Sequence, residues 1–358
     1  MEPTSHERQK PRPRGRSLGA ARASAPTAGP PGGRPRPRPP RDLPILTITV
    51  NPALDITTWV PRVVPMQKLR CAPPLYEPGG GGVNVSRAIK ELGGASRAFI
   101  ALGGATGERY RELLAPFGLD AEIWPIPGET RFSLTVMESE RRQQYRFLLP
   151  GPAIGGETVA ALLAEIRRQV EMTHGLVVLS GSPPPGLPMD FAGRLAAHAR
   201  QTGSRAILDL SGPALKDALE YKPFLVRMNH IEAQELLGSR EEAEPLARRA
   251  AHTLVQRGGA ENVIVTIGEG GAILATGKEL LLFRPPHVEV VSAVGAGDSF
   301  TGALALGLAK GWDLAEACRF GVAAAASAVT GRSTELCKRP QTLSLLAQMP
   351  ARPEHLAV

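Results

Sequence analysis

Short, β-branched apolar runs alternate along the chain with longer amphipathic stretches, a pattern typical of strands connected by helices. The clearest runs are Ile45–Val50, Phe99–Leu102, Leu176–Ser180, Arg205–Asp209, Phe224–Met228 and Val263–Ile267. The spacing predicts helices over Val83–Leu92, Glu108–Phe117, 157–171, 188–202, Asp298–Lys310 and Leu314–Val329. Nearly continuous apolar strands indicate a parallel sheet that is covered on both faces. We therefore predict an α/β fold with a mostly parallel central sheet flanked by helices, in a domain over residues 44–350.

A different pattern occupies residues 131–149, where polar and apolar residues alternate on both sides of a charged turn at Glu138–Arg142. Such alternation predicts a hairpin with one solvated face. Together with a segment near Lys68–Tyr76, we expect it to form a small β-sheet lid, with its strands within about 56–78 and 130–150. Arg131 and Arg146 could then grip a phosphate from the lid, or they could simply cover a solvated strand face.

The net charge of +8 lies entirely in the first residues of the chain. Residues 1–41 hold ten Lys/Arg and two Asp/Glu, whereas the rest of the chain holds 32 of each. Their Pro/Arg-rich composition predicts a disordered basic arm over residues 1–43. The arm is interpreted as either a weak polyanion-binding segment or an inert extension, so a nucleic acid is not the expected partner.

Cysteine usage and hydropathy indicate the compartment. Cys71, Cys318 and Cys337 are scattered and odd in number, so no disulfide framework is expected. No apolar run approaches the ~20 residues of a membrane span, and no signal-peptide hydrophobic region is seen near the start. We expect a cytoplasmic protein without a membrane partner.

The run Gly295-Ala296-Gly297-Asp298 opens a predicted helix and is the strongest candidate for chemistry. The free backbone N–H groups and the positive dipole end of a helix N-terminus form an anion site. A carboxylate beside a bound phosphoryl group can accept the proton of an attacking hydroxyl. Alone, the segment favours a tight turn with Asp298 as a helix cap, so the interpretation depends on the motifs that accompany it.

Two further segments carry groups suited to a polyhydroxylated ligand. Gly79–Gly82 permits close backbone approach and leads into a helix with Asn84 in its first turn. Asp55 follows the first strand, at the sheet edge where ligands bind in open α/β folds. The alternatives are a glycine linker and an Asx turn after Asn51-Pro52.

A third group of residues suits a nucleotide and its metal. Asn229 and Glu232 lie three residues apart at the end of a strand, where an amide and a carboxylate could hold water on Mg²⁺. A capping box has the same spacing and is the competing interpretation. The turn from Thr266 through Gly268 to Gly271 also follows a strand, and a nucleotide could lie over it.

These motifs, in this order and spacing, resemble the ribokinase-like (PfkB) carbohydrate kinase family over about residues 44–345. The resemblance implies the ribokinase-like three-layer fold with a small β-sheet lid. Three stretches resemble the branch of this family that phosphorylates fructose 6-phosphate at O1 with ATP. They are Asn51–Asp55, Lys68–Cys71 with Glu77–Gly82, and Gln144–Phe147. The glycine run lacks the Lys that is usual in 1-phosphofructokinases and tagatose-6-phosphate kinases, which remain alternatives within the enzyme class. A sugar-phosphate sensor is the alternative outside it.

The resemblance also implies a role for each matching residue. Asp298 would be the general base, Gly295, Ala296 and Gly297 the anion hole, and Lys68 a phosphate-stabilising group. Sugar phosphate would be bound by Asp55, Arg70, Gly80, Gly81, Asn84, Arg131 and Arg146. ATP would contact Asn229, Thr266, Gly268 and Gly271, with Mg²⁺ organised through water by Glu232 and Asn229.

The family further implies a homodimer joined through the lid sheets. This chain departs from the family pattern at three positions. Ala293 replaces a usual Thr, Arg227-Met228-Asn229 replaces Lys-Pro-Asn, and Glu335 stands where the fructose 6-phosphate branch has a basic residue. The last departure leaves a K⁺ requirement open.

Overall fold

Alternating strands and helices form an α/β fold in a computed structural model of the chain, which describes residues 42–331 and 335–357. The predicted basic arm therefore lies almost wholly outside the described residues. The strands are β1 Ile45–Thr49, β2 Ala53–Val60, β3 Leu75–Gly79, β4 Arg97–Leu102, β5 Asp120–Pro125, β6 Arg131–Glu138, β7 Gln143–Leu148, β8 Leu176–Ser180, β9 Arg205–Asp209, β10 Leu225–Asn229, β11 Asn262–Thr266, β12 Ala272–Ala275, β13 Leu280–Phe283 and β14 Glu354–His355. The α-helices are α1 Gly81–Glu91, α2 Gly104–Leu114, α3 Gly156–Thr173, α4 Phe191–Gln201, α5 Gly212–Leu219, α6 His230–Leu237, α7 Ala243–Gln256, α8 Ala296–Ala309, α9 Leu314–Ala328 and α10 Arg339–Gln348.

The described residues form one ten-stranded sheet in the order β14-β13-β12-β11-β10-β9-β8-β1-β4-β5. Its strands run parallel from β11 to β5, whereas β12, β13 and β14 are antiparallel. β1 pairs in parallel with both β4 and β8, so the strand order reverses at β1. Open α/β sheets bind ligands at such a switch point, outside the carboxyl ends of the strands.

Helices cover both faces of this sheet, as its apolar strands predict. One core joins the sheet to α3, α4 and α7, for example through Leu162, Leu195 and Leu246. The other core joins it to α1, α8 and α9, through residues such as Ile89 and Leu304. The predicted three-layer architecture is confirmed.

A second, four-stranded sheet has the order β3-β2-β6-β7. β2 pairs in parallel with β6 and antiparallel with β3, and β6 and β7 form the predicted hairpin. This is the small sheet of the fold prediction, and we call it the lid sheet.

Several predicted boundaries differ from the structure. Asp55 lies inside strand β2, so the Asx turn, which was the alternative interpretation of Asp55, is wrong. Strand β3 begins only at Leu75, and no strand covers 68–74, so the predicted lid segment Lys68–Tyr76 is largely wrong. Helix α1 begins within the glycine run, two residues before the predicted Val83. Strand β5 was not predicted from the sequence.

Within the described ranges, none of the helices combines the length and the apolar character needed to cross a bilayer.

Candidate active site

The segment from Val290 to Gly297 separates two cavities. One, of about 470 Å³, is lined by Val290, Ala293, Ala296 and Gly297 together with residues of β10, β11 and α9. The other, also about 470 Å³, is lined by Val291, Ser292 and Val294 and by the inner face of the lid sheet. We call them the nucleotide cavity and the lid cavity. The predicted catalytic segment is therefore the wall between two spaces that could each hold a ligand.

Helix α8 begins at the end of this wall. Gly295 precedes the helix with φ of 79°, a backbone conformation that favours glycine, and Ala296 is the first helical residue. Among the described residues, no side chain caps the helix, so its first N–H groups are available to an anion. The turn predicted over Gly295–Gly297 is thus present, and the helix N-terminus that follows it suits an anion.

Asp298 lies in the first turn of α8 and is partly buried. Its Oδ2 accepts a hydrogen bond of 3.0 Å from the Asn84 side-chain amide. Burial raises the pKa of Asp298 to about 7, the negative charges of Asp209 and Asp55 add to this, and Asn84 and Arg227 oppose it. Since Asp55 lines the lid cavity and Arg227 the nucleotide cavity, Asp298 is exposed to the charges of both.

The glycine run holds Asp55 and α1 against the ends of the central strands. A Cβ at Gly79 would lie 2.0 Å from Asp55 Oδ2, and one at Gly81 would lie 2.1 Å from Ser180 Oγ. Gly80 adopts φ of 124°, close to Thr49 and Pro52. Larger residues cannot occupy these positions, so the run is structural as well as a close approach for ligand, and the linker interpretation is wrong.

Asp55 is a partly buried carboxylate that lines the lid cavity. Burial raises its pKa to about 6, whereas a hydrogen bond from Ser133 and the charges of Arg146 and Arg131 lower it, in that order. Arg146 lines the lid cavity with Asp55, so the predicted lid arginine faces the site. Arg131 donates from Nε to the Asn51 carbonyl at 3.3 Å, which places it at the same end of the lid sheet.

Lys68 and Arg70 are not brought to the site. Both are exposed and lie in the irregular segment between β2 and β3. In the described structure, neither residue contacts Asp298 or lines either cavity.

The nucleotide cavity contains Thr266, Gly268 and Gly271, as predicted, and is otherwise apolar at its far end, with Val322, Ala325, Ala326 and Val329. Such a lining suits a planar base, and the glycines lie where phosphates could pass toward α8. Asn229 is aligned with Thr266 in the register between β10 and β11.

Asn229 and Glu232 form the capping box that was the alternative interpretation. Asn229 Oδ1 accepts from the Glu232 N–H at 2.9 Å, and Glu232 Oε2 accepts from the Asn229 N–H at 2.7 Å. Burial raises the pKa of Glu232, and the charge of Asp209 adds to that effect. The described residues contain no cluster of three metal-ligating side chains. The side-chain oxygens of Asn229 and Glu232 are donors of the kind that Mg²⁺ prefers, although they do not complete its coordination. Such a partial set suits a Mg²⁺ ion whose other ligands are water and phosphate oxygens.

Two functional candidates, Arg227 and Asp209, were missed or undervalued by sequence reasoning. Arg227 Nη1 pairs with Asp209 Oδ1 at 3.1 Å, and Nη2 donates to Thr266 Oγ1 at 2.8 Å. Asp209 also accepts from Thr301 on α8 at 3.1 Å. A Cβ at Gly297 would lie 2.8 Å from Arg227 Nη1, so the guanidinium supports the α8 N-terminus. The only sequence signal was that both residues lie at or near strand ends.

The fold with its two adjoining cavities is that of an ATP-dependent sugar-phosphate kinase. The chain belongs to the pfkB family of carbohydrate kinases, because a family model described as "pfkB family carbohydrate kinase" matches residues 50–341. The family resemblance inferred from the sequence is thereby confirmed.

Relatives with assigned names are similar over most of their length. ATP-dependent 6-phosphofructokinase isozyme 2 of Mycobacterium tuberculosis is 42% identical over 295 residues, which cover 82% of this chain and 86% of that protein. The 1-phosphofructokinase of Bacillus subtilis is 36% identical over 285 residues, 78% of this chain and 90% of that protein.

Among solved structures, phosphofructokinase-2 of Escherichia coli in complex with fructose 6-phosphate superposes with a TM-score of 0.78 at 38% identity, covering 86% of this chain and 99% of that one. The same E. coli protein is also known in complex with potassium and as a tetrameric inhibited form.

Proposed function

We propose that the protein transfers the terminal phosphate of ATP to O1 of fructose 6-phosphate, giving fructose 1,6-bisphosphate. The observation that carries this proposal is the position of Asp298 at the end of the wall between the two cavities, within reach of the charges on both sides. The E. coli relative that was solved with fructose 6-phosphate supports the choice of sugar.

In this mechanism Asp298 accepts the proton of the O1 hydroxyl as the phosphate arrives. A base with a pKa of about 7 is about half ionised at neutral pH and is basic enough to take the proton. The N–H groups at the start of α8 stabilise the charge on the transferred phosphate, and Arg227 lies directly behind them. These groups are fixed before the reaction, so little reorganisation is needed.

The lid cavity binds the sugar phosphate in this proposal. Asp55 and Asn84 hydrogen-bond sugar hydroxyls, Gly80 and Gly81 allow the sugar to approach the backbone, and Arg146 and Arg131 bind the 6-phosphate. Lys68 and Arg70 remain predicted phosphate ligands and require movement of the segment between β2 and β3. Such closure over a bound ligand is common in enzymes with lids.

Mg²⁺ with ATP is the proposed cofactor, with Asn229, Glu232 and Asp209 holding its waters. When bound, the ion neutralises phosphate charge. K⁺ is a further proposed cofactor, supported by the potassium complex of the E. coli relative. The proposed assembly is a homodimer through the lid sheets. A cytoplasmic location is also proposed, supported by three free cysteines.

Replacing Asp298 tests the mechanism. Asp298→Asn preserves shape and a hydrogen bond from Asn84 but removes the base, so turnover should fall by about 10²–10⁴-fold. Fructose 6-phosphate binding, measured by calorimetry, should stay largely intact. The matched control is Asp313→Asn, which changes an N-terminal helix residue of α9, where Asp313 accepts from the Glu316 N–H. Near-normal turnover of Asp298→Asn would remove Asp298 from its role.

A panel of sugars separates the rival functions. ADP release should be fastest with fructose 6-phosphate among fructose 6-phosphate, fructose 1-phosphate, tagatose 6-phosphate and ribose. Faster release with fructose 1-phosphate would favour the 1-phosphofructokinase alternative, which the B. subtilis relative supports. Binding of a sugar phosphate without ADP release would instead identify a sugar-phosphate sensor.

A further inference from the structure

Behind the glycine run, away from both cavities, the buried side chain of Arg87 on α1 contacts both the lid strand β3 and the site residue Asn84. Its side chain is 9% exposed. Nη1 donates to Asn84 Oδ1 at 3.0 Å and to the Pro78 carbonyl at 3.3 Å. The guanidinium stacks on Phe117, with Cζ 4.3 Å from the ring centroid. Stacking and burial hold the group in one place.

Arginine can only donate hydrogen bonds. The atom of the Asn84 amide that faces Arg87 must therefore be the oxygen, and the nitrogen must face Asp298, to which it donates at 3.0 Å. Without Arg87 the amide could rotate and present its oxygen to Asp298. An oxygen there repels the ionised carboxylate and accepts a hydrogen bond from the protonated one.

We propose that Arg87 is a positioning residue that fixes the Asn84 amide in the orientation that donates to Asp298, and so keeps the base ionised. This inference rests on the proposed role of Asp298 as the general base. Since the same guanidinium holds the Pro78 carbonyl and approaches Glu77 Oε1 at 3.9 Å, it also ties lid strand β3 to the reacting end of the site.

The surrounding charges fix the direction of the effect. Arg87 is within electrostatic reach of Glu77, Tyr110, Asp55 and Asp298. Asp298 is in turn influenced by Asp209 and Asp55, which disfavour its ionised form, and by Asn84 and Arg227, which favour it. Removing Arg87 takes away a nearby positive charge and frees the amide to rotate. Both changes favour protonated Asp298, so activity should require a higher pH.

The test is the pH profile of kcat/KM for Arg87→Met, with fructose 6-phosphate and ATP. The acid limb should move up by about one pH unit, with a loss of about fivefold at pH 7 and a smaller loss at pH 9. An unshifted acid limb in a folded variant overturns the proposal, because a side chain that only packs would not alter this ionisation. If Arg87→Met does not fold, Arg87→Gln decides by the same criterion, because the neutral Gln amide can either donate to or accept from Asn84 and so does not fix its orientation.

Two control variants separate a change in the orientation of the Asn84 amide from a general loosening of the surrounding structure. Tyr110 donates from its hydroxyl to the Gly79 carbonyl at 2.8 Å, the neighbour of the carbonyl that Arg87 holds. Tyr110→Phe should lower the melting temperature and leave the acid limb in place, and a shift as large as that of Arg87→Met would overturn the proposal. Arg109→Met removes an exposed positive charge on α2 and should change neither.

Asp298→Asn, measured in parallel, distinguishes this inference from the proposed function. If Asp298→Asn loses turnover while Arg87→Met keeps the normal acid limb, only the positioning role fails. If Asp298→Asn retains turnover, the general-base assignment fails and the positioning role fails with it.

Discussion

At the scale of single residues, Asp298 occupies a place that is costly for a carboxylate. Its pKa in the folded protein is about 7 against an ordinary value of 3.8. Because its folded-state pKa is raised, the contribution of Asp298 to the free energy of unfolding is fully present below pH 4. It is lost as the pH rises to 7, since the carboxyl ionises at a lower pH in the unfolded chain than in the folded protein. The property that makes Asp298 a base therefore reduces the stability of the fold at neutral pH.

Asp298→Asn should consequently be more stable than the wild type at pH 8. The gain should be on the order of 2–4 kcal/mol, level above pH 7, and should vanish as the pH approaches 4. Urea unfolding followed by circular dichroism at pH 4, 6 and 8 measures it. A gain of equal size at pH 4 and pH 8 would show that the cost of Asp298 does not come from its ionisation.

Gly297 is a second residue where function restricts the side chain. An added Cβ would lie 2.8 and 3.1 Å from the two terminal nitrogens of Arg227, which is itself fixed by Asp209. Gly297→Ala should displace the helix start or Arg227 and lower kcat by about 10²-fold, because small misplacements of preorganised groups are costly. Gly156→Ala, at the start of α3 with no atom within 4 Å of its Cβ, is the matched control and should keep normal kcat. Normal kcat in both variants would contradict the assignment of an anion hole at the start of α8.

At the scale of secondary-structure elements, the sequence predicted those strands and helices that a local residue pattern determines. The apolar runs of the central strands and the Gly-Asp start of α8 are local signals, and both elements are present. Strand β2 was only partly predicted, because the lid strands were placed from about residue 56 onward and the preceding Asn51-Pro52 and Asp55 are typical of turns. It is a strand because its partners β3 and β6, distant in sequence, complete its hydrogen bonds.

The same dependence on contacts between distant residues explains which parts of the candidate site the sequence predicted. Asp298 and Asn84 were found because each lies in a local motif, but their hydrogen bond spans 214 residues of sequence. Arg227 and Asp209 are paired by the register of β9 and β10, where Arg227 is aligned with Asp209. Neither the pair nor the placement of Arg227 behind Gly297 is visible without the sheet order.

The lid sheet makes a prediction of its own. Arg146 on β7 lines the lid cavity, whereas Arg141, in the turn of the same hairpin, pairs with Glu138 at 3.6 Å. Arg146→Gln should raise KM for fructose 6-phosphate about 10–100-fold with a smaller change in kcat, because an arginine–phosphate contact contributes mainly to binding. Arg141→Gln should leave KM unchanged. Equal KM changes in the two variants would mean that the hairpin, rather than the Arg146 side chain, supports binding.

At the scale of the whole molecule, the lid sheet formed by the described residues ends in two edge strands, each paired on one side only. β3 and β7 are the edges of the sheet and carry exposed apolar side chains. Leu75 is 51% exposed, Phe147 is 53% exposed and Leu148 is 64% exposed. Unpaired strand edges with apolar residues are ready to associate with another chain. A second copy of this chain, joined lid to lid, would cover these groups and complete the proposed homodimer.

The assembly is tested by placing a charge on this surface. Leu148→Lys should weaken the dimer by about tenfold or more, because a lysine has to lose its hydration to enter an apolar interface. Light scattering after size-exclusion chromatography, over a range of protein concentrations, measures the dissociation. Leu343→Lys on α10, also exposed at 46%, is the control and should leave the dimer intact. If Leu148→Lys dissociates no more readily than Leu343→Lys, the subunits associate through a different surface. If the dimer weakens and kcat/KM falls with it, the lid sheet of one subunit supports the site of the other. Activity would then depend on protein concentration.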